Sequence, residues 1–102
     1  MREYKFKRGY HPSQERLEEM IRKHFGFYEK IEDFYVVRNF EAIEELKARI
    51  DGKILLIETK TRISDDESII KTLKTYNRFL EELTGYTVKE RQKMLRKEIE
   101  SI

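Results

Sequence analysis

The feature that most constrains this chain is residues 65–100, which predict a long amphipathic helix, a short break and a second, charged helix. Apolar side chains recur at helical spacing through the first of these helices, so the rest of the chain must cover one stripe of it. The stripe comprises Ile69, Ile70, Leu73, Tyr76, Asn77, Leu80 and Leu83, and Phe79 flanks it. Thr84 and Gly85 end the periodic pattern, and glycine at this place is typical of a helix terminus.

Two capping boxes predict where these helices begin. Ser64 as the N-cap, with Glu67 three positions later, predicts the start of the first helix, and Thr87 with Glu90 predicts the start of the second. The apolar residues of the second helix are Val88, Met94, Leu95 and Ile99. Because these few apolar residues give the helix little surface to bury, we expect residues 87–102 to form a charged helix that docks loosely or protrudes.

The first half of the chain predicts strands around one helix. Residues 3–8 alternate aromatic and basic side chains, as a half-buried strand does. Ser13 is the expected N-cap of a helix that ends at Gly26. The apolar stripe of that helix comprises Leu17, Met20, Ile21, His24 and Phe25. Residues 27–38 are rich in aromatic and β-branched side chains and predict two strands joined by a tight turn at residues 32–33.

Residues 41–50 are compatible with two structures. Helix propensity and an apolar period of three to four residues fit a helix, whereas the alternation of apolar and charged residues over 45–50 fits a strand. The pair Asp51 and Gly52 then predicts a two-residue hairpin turn that leads into a strand at residues 53–60. We therefore favour the strand over residues 45–50, with the helix as its rival.

The order of these elements predicts a single α+β domain over residues 1–102. An antiparallel sheet of about five strands, with the helices packed on one face, accommodates the order β-α-β-β-β-β-α-α. This order is similar to that of a single repeat of the TATA-binding-protein fold. That similarity concerns topology and names no function, because one fold hosts many functions.

Three blocks of sequence resemble a family of small archaeal proteins of about this length that has no assigned activity. The blocks are REYKFKRG at residues 2–9, GKILLIET at residues 52–59 and YNRFLEELTGYTVKER at residues 76–91. The resemblance implies an archaeal, cytoplasmic, single-domain protein with a strand at residues 41–51. It supplies no catalytic residue and no cofactor.

Composition narrows the class of protein further. Charged residues make up 41% of the chain, against about 25% in an average globular protein, and this excess is typical of thermophile proteins. The absence of cysteine excludes disulfides and thiolate metal sites, and is compatible with a reducing cytoplasm. No apolar run approaches the roughly 20 residues that cross a bilayer. We therefore expect a cytoplasmic protein without a membrane partner.

The candidate binding residues are basic and lie near both ends of the chain. They are Arg2, Lys5, Lys7, Arg8, Lys89, Arg91, Lys93, Arg96 and Lys97. In the N-terminal strand, cations alternate with Tyr4 and lead to Tyr10, and a surface that contacts phosphates and stacks on bases needs both residue types. The competing interpretation is a solvated face with ordinary Glu–Lys pairs. Sequence alone does not show whether the two basic ends converge.

No catalytic, cofactor or metal residue is assigned. The chain lacks a phosphate-binding glycine loop, a nucleophile elbow and a zinc-protease motif. His11 and His24 have no partners at metal-ligand spacing, and we expect residues 65–67 to complement a helix N-terminus. Asn77 is expected to tie its helix to the sheet or to a neighbouring side chain, and Tyr76, Arg78 and Tyr86 are candidates to line a pocket with it.

We therefore predict a non-catalytic binding module whose partner is nucleic acid or an acidic protein. Two alternatives remain open. One is a protein-interaction or homodimerisation domain that pairs through edge strands or the last helix. The other is a small-ligand-binding protein or an enzyme that uses the crevice between sheet and helices.

Overall fold

The computed structural model describes the backbone of residues 1–100 and the side chains of residues 1–94. In chain order these residues form β1 (Arg2–Lys5), α1 (Gln14–Phe25), β2 (Glu29–Ile31), β3 (Phe34–Phe40), β4 (Ile43–Asp51), β5 (Ile54–Thr61), α2 (Asp66–Thr84) and α3 (Val88–Glu100). The five described strands form one antiparallel sheet in the order β1-β5-β4-β3-β2. The predicted fold class and order of elements are confirmed. No helix in the described range is long and apolar enough to cross a membrane.

The core lies between one face of the sheet and helices α1 and α2. The helices contribute the buried side chains of Leu17, Ile21, Phe25, Phe79, Leu80 and Leu83 to this core. Leu46, Ala48 and Ile50 alternate into this core from β4, while Lys47 and Arg49 lie between them on the opposite face. The strand prediction for residues 45–50 is therefore confirmed and the helical alternative is wrong.

The predicted turn between β4 and β5 is wrong by one residue. Asp51 pairs with Ile54, so the two central residues are Gly52 and Lys53, and Asp51 belongs to β4. Only Gly52 has a positive φ, of 61°. A positive φ at the first central position alone is the requirement of a type II′ turn, which favours glycine there. The turn predicted at residues 32–33 is confirmed.

The predicted N-cap of α2 is also wrong by one residue. The carboxylate of Asp65 accepts a hydrogen bond from the backbone N–H of Ser68 at 3.2 Å, whereas the Ser64 hydroxyl donates to the carbonyl of Arg62 at 3.4 Å. A carboxylate is the stronger cap, because its charge also favours the positive end of the helix dipole. The predicted N-cap at Ser13 is confirmed by its bond to the N–H of Arg16.

The apolar stripe of α2 is only partly buried. Thr72 and Phe79 point at the sheet, and Phe79 is a core residue where a flanking position was predicted. The prediction that the N-terminal part of the stripe is covered is wrong, because Ile69, Ile70 and Leu73 are exposed. Helical spacing identifies which side of a helix is apolar, but it does not show how far the neighbouring elements extend along it.

The C-terminal end of α2 is fastened by Arg16 of α1. Its guanidinium donates to the carbonyls of Glu82 at 3.0 Å and of Leu83 at 3.1 Å, and also to that of His11 at 3.1 Å. These bonds satisfy carbonyls that a helix end leaves without a partner, in a last turn that has no basic residue of its own. Gly85 then ends the helix at φ 84°, and the ring of Tyr10 packs where a side chain at this position would lie.

Candidate functional site

The N-terminal segment and the start of α3 lie side by side. The backbone N–H of Lys7 donates to the carbonyl of Thr84 at 2.8 Å, which attaches the chain after β1 to the end of α2. The Lys7 ammonium pairs with Glu90 at 3.0 Å and lies 5.8 Å from the ring centroid of Tyr86. The segment after β1 therefore contacts the start of α3 at the joint between α2 and α3.

The predicted capping box at the start of α3 is confirmed and fixes this joint. The Thr87 hydroxyl accepts from the N–H of Glu90, and the Glu90 carboxylate accepts from the N–H of Thr87, each at 3.2 Å. The bond from the Thr87 backbone, and then the Lys7 ammonium, hold the pKa of Glu90 below its usual range. Glu90 is thus a charged anchor that connects the cap of α3 to the N-terminal segment.

A crevice of about 600 Å³ lies between β1, α2 and α3. Its polar lining combines two guanidinium groups, one ammonium, three phenol rings, two amides and one carboxylate, from Arg2, Arg91, Lys5, Tyr4, Tyr76, Tyr86, Asn77, Gln92 and Glu3. Along β1, Arg2 and Tyr4 alternate with Glu3 and Lys5. The pleat therefore places Arg2 and Tyr4 on one face of the strand and Glu3 and Lys5 on the other, although all four line the crevice.

Arg91 is held in a defined orientation at the crevice wall. Its guanidinium donates to the carbonyl of Tyr86 at 3.0 Å and to the amide oxygen of Asn77 at 3.1 Å. These contacts use two of the five N–H groups of an arginine, which leaves donors for a ligand. The predicted partners of Asn77 were the sheet and a neighbouring side chain, and the structure shows the side chain. The bond from Arg91 connects α2 to α3.

Two tyrosine hydroxyls lie between the two guanidinium groups. The hydroxyls of Tyr4 and Tyr76 are 3.0 Å apart. Burial, and then the Tyr4 hydroxyl, raise the pKa of Tyr76 far above its usual value, while Arg2 and Arg91 act in the opposite direction. Tyr76 therefore stays neutral near pH 7 and keeps its proton to donate. The guanidinium, ammonium and phenol groups of this lining outnumber its one carboxylate, Glu3, and together suit an anionic ligand, because charge-assisted hydrogen bonds are the strongest of these contacts.

The structure brings only some of the predicted basic residues to this crevice. Arg2, Lys5 and Arg91 line it and Lys7 contacts Glu90 and the lining residue Tyr86, while Arg8, Lys89 and Lys93 are exposed outside it. Arg96 and Lys97 lie outside the residues whose side chains are described. Of the pocket suggested by sequence around Asn77, Tyr76 and Tyr86 take part and Arg78 does not.

The other candidate residues have structural partners. His24 bonds to Glu82 at 3.1 Å and lies edge-on to Phe79, while Asp65 caps α2. Among the side chains that the structure describes, no group of three or more His, Asp or Glu could hold a metal ion.

Sequence reasoning did not identify Gln92, Val88 and Met94 as crevice residues. Together with Arg91 they recur at helical spacing on one side of α3. This spacing identifies crevice residues only once it is known that this side of α3 faces β1 and α2.

Comparisons with known proteins give a family and a fold. A family model described as a domain of unknown function, DUF5611, matches residues 1–97. The fold is similar to the NMR solution structure of a hypothetical protein from Thermoplasma acidophilum, with 28% identity and a TM-score of 0.61 over 93% of this chain and 97% of that chain. No curated protein matches the sequence. The resemblance to a small, uncharacterised family is confirmed, and its solved relative is archaeal.

Proposed function

The chain belongs to the DUF5611 family, and we propose that it is a non-catalytic binding module whose crevice holds single-stranded nucleic acid by a phosphate. One observation carries the proposal: the guanidinium groups of Arg2 and Arg91, from opposite ends of the chain, line one crevice together with phenol hydroxyls. We also expect the protein to act in the cytoplasm, where such ligands occur.

Phosphate is the anion that this lining fits best. A guanidinium presents a planar fork of donors that matches phosphate oxygens, and the bonds from Arg91 to Tyr86 and Asn77 hold the fork in place before a ligand arrives. The phenol rings add faces on which bases can stack, at about 1–3 kcal/mol per base. Arginine and tyrosine on one wall are therefore the pair of residue types that a sequence-tolerant single-strand site needs.

A small phosphorylated ligand is the second candidate. Its support is the volume of about 600 Å³, which falls within the roughly 300–1,000 Å³ of small-molecule sites. Both candidates use the same residues, but they differ in the ligand length that they require. A strand should gain affinity as it lengthens, whereas a mononucleotide should bind as tightly as an oligonucleotide.

Fluorescence anisotropy with labelled single-stranded DNA and RNA of about 12 nucleotides tests the proposal. Arg91→Ala should weaken binding by about tenfold or more, since a hydrogen bond to a charged group contributes about 1.5–3 kcal/mol. Lys89→Ala and Lys93→Ala are matched controls. They remove the same charge from the same helix outside the crevice, and should change affinity by no more than about threefold.

Three outcomes would count against the proposal. Absence of binding at low salt would refute it, because phosphate contacts are strongest there. Equal losses in Arg91→Ala, Lys89→Ala and Lys93→Ala would indicate diffuse attraction with no role for the crevice. Displacement by polyglutamate as efficient as displacement by unlabelled strand would indicate that the partner is an acidic protein.

A further inference from the structure

Helix α2 carries an apolar surface that the rest of the described chain leaves uncovered. It consists of Ile69, Ile70 and Leu73 of the helix and Ile63 of the segment before it, here called the α2 patch, with exposed fractions of 40%, 53%, 56% and 104%. Single exposed aliphatic residues are common on monomers, but a contiguous group on one helix end is typical of a contact surface. The α2 patch shares no residue with the crevice lining.

From Asp66 to Arg78 the charges on the exposed side of α2 are separated by sign, and two further acids, Glu81 and Glu82, follow near the end of the helix. Asp66 and Glu67 lie in its first turn, and Lys74 and Arg78 lie two to three turns later. Within the described side chains these four residues form no ion pair, whereas Lys71, between them, pairs with Glu41 at 3.1 Å. This part of the helix therefore presents acidic side chains before Ile70 and Leu73 and basic side chains after them.

We propose that the α2 patch is the interface of a homodimer in which two α2 helices pack antiparallel about a two-fold axis near residues 70–73. With a rise of 1.5 Å per residue, residues 66–67 lie about 7 Å to one side of such an axis and residues 74–78 about 7 Å to the other. The two-fold rotation consequently brings the acidic end of each helix against the basic end of its partner.

A second copy fits this surface better than an unrelated partner because the surface is complementary to itself. A two-fold interface requires that the same surface supply both halves of each contact. The α2 patch supplies the apolar halves, and the flanking Asp66, Glu67, Lys74 and Arg78 supply the charged ones. A parallel pairing would instead place Asp66 and Glu67 beside their own copies and align the two helix dipoles. A hollow beside the helix, lined by Ile70, Lys74 and Arg78, gives the ridge of the second helix a groove to enter.

Sedimentation velocity from low to high micromolar concentration tests the dimer. The wild-type chain should shift from 12.5 kDa towards twice that mass, and Leu73→Glu should remain monomeric while keeping its circular dichroism and melting temperature. Phe27→Glu is the matched control, since Phe27 is 51% exposed and lies outside α2. It should dimerise as the wild type does. A wild-type chain that stays monomeric at the highest concentration would overturn the proposal.

Charge reversal tests the antiparallel arrangement separately. Glu67→Lys should weaken the dimer by at least about tenfold, because the symmetry places two repulsive contacts in each dimer. Lys74→Glu should weaken it similarly, and the double variant should recover most of the wild-type affinity. Recovery cannot arise inside one helix, since residues seven positions apart are about 10 Å apart along the axis. A double variant no tighter than the single variants would refute the arrangement.

Discussion

Replacing Gly85 by alanine perturbs the joint between α2 and α3 in two ways. The backbone there has φ 84°, a conformation that costs a residue with a side chain roughly 1–2 kcal/mol. A Cβ would also lie 2.5 Å from two ring carbons of Tyr10, so the ring would have to move. That ring lies 5.7 Å from the guanidinium of Arg16, and losing a cation–π contact at such an exposed site costs about 0.5–1 kcal/mol.

We therefore expect Gly85→Ala to lower the free energy of unfolding by about 1.5–3 kcal/mol, the sum of these two effects. Urea unfolding followed by circular dichroism measures the change. Gly26→Ala is the matched control, because Gly26 also ends a helix at φ 87° but has no atom within 4 Å of its Cβ position. It should lose only the backbone part, about 1–2 kcal/mol.

A double-mutant cycle with Tyr10→Ala isolates the contact between ring and joint. With the ring removed, Gly85→Ala should cost no more than Gly26→Ala does in the wild type, and the two substitutions should therefore be non-additive by about 1 kcal/mol. Equal costs for Gly85→Ala and Gly26→Ala in the wild-type chain, or strict additivity in the cycle, would show that the ring does not constrain the joint.

Three further substitutions test other contacts, each by urea unfolding. Arg16→Lys should cost about 1–2 kcal/mol, because an ammonium lacks the planar fork that reaches several carbonyls at once; no loss would mean that water satisfies those carbonyls. Thr72→Val should cost about 1–3 kcal/mol, since it leaves the backbone N–H of Ala42 without its acceptor at 2.9 Å; a neutral effect would contradict this. The Lys23 ammonium, followed by His24, lowers the pKa of Glu82, so its carboxylate stabilises the fold above the usual Glu pKa of about 4.3 and less as pH falls through the lowered value. Glu82→Gln should accordingly be less stable than the wild type at neutral pH, and a gap that persists in acid would refute this reasoning.

Local signals in the sequence predicted most of the fold. Thr87 and Glu90 form the capping box that their spacing indicates, and the alternation over residues 45–50 is a strand. The N-cap of α2 and the turn between β4 and β5 were each predicted one residue away from their positions in the structure, and both errors have the same cause. Ser64 and Asp65 are both good caps, and the glycine at 52 can occupy either central position of a turn, so the register depends on tertiary contacts that residue preferences do not contain.

The crevice was harder to predict because it is assembled from distant parts of the chain. Arg2 reaches it only because β1 pairs with β5 at the sheet edge, and Arg91 reaches it only because α3 turns back at Gly85. The spacing of charges in sequence shows neither relation. The same limit explains the exposed Ile69 and Leu73, whose period is helical although no described element covers them.

The joint at residues 84–90 connects stability to the proposed binding site. The bond from the Lys7 backbone to Thr84 attaches the N-terminal segment to α2, and the pair between Lys7 and Glu90 attaches it to α3. These two contacts set the position of α3 relative to β1. The two elements form the crevice walls that carry the guanidinium groups of Arg91 and Arg2. Because these contacts lie outside the buried core, substitutions there should alter ligand affinity beyond their effect on stability, whereas substitutions of core residues that do not line the crevice should alter stability alone.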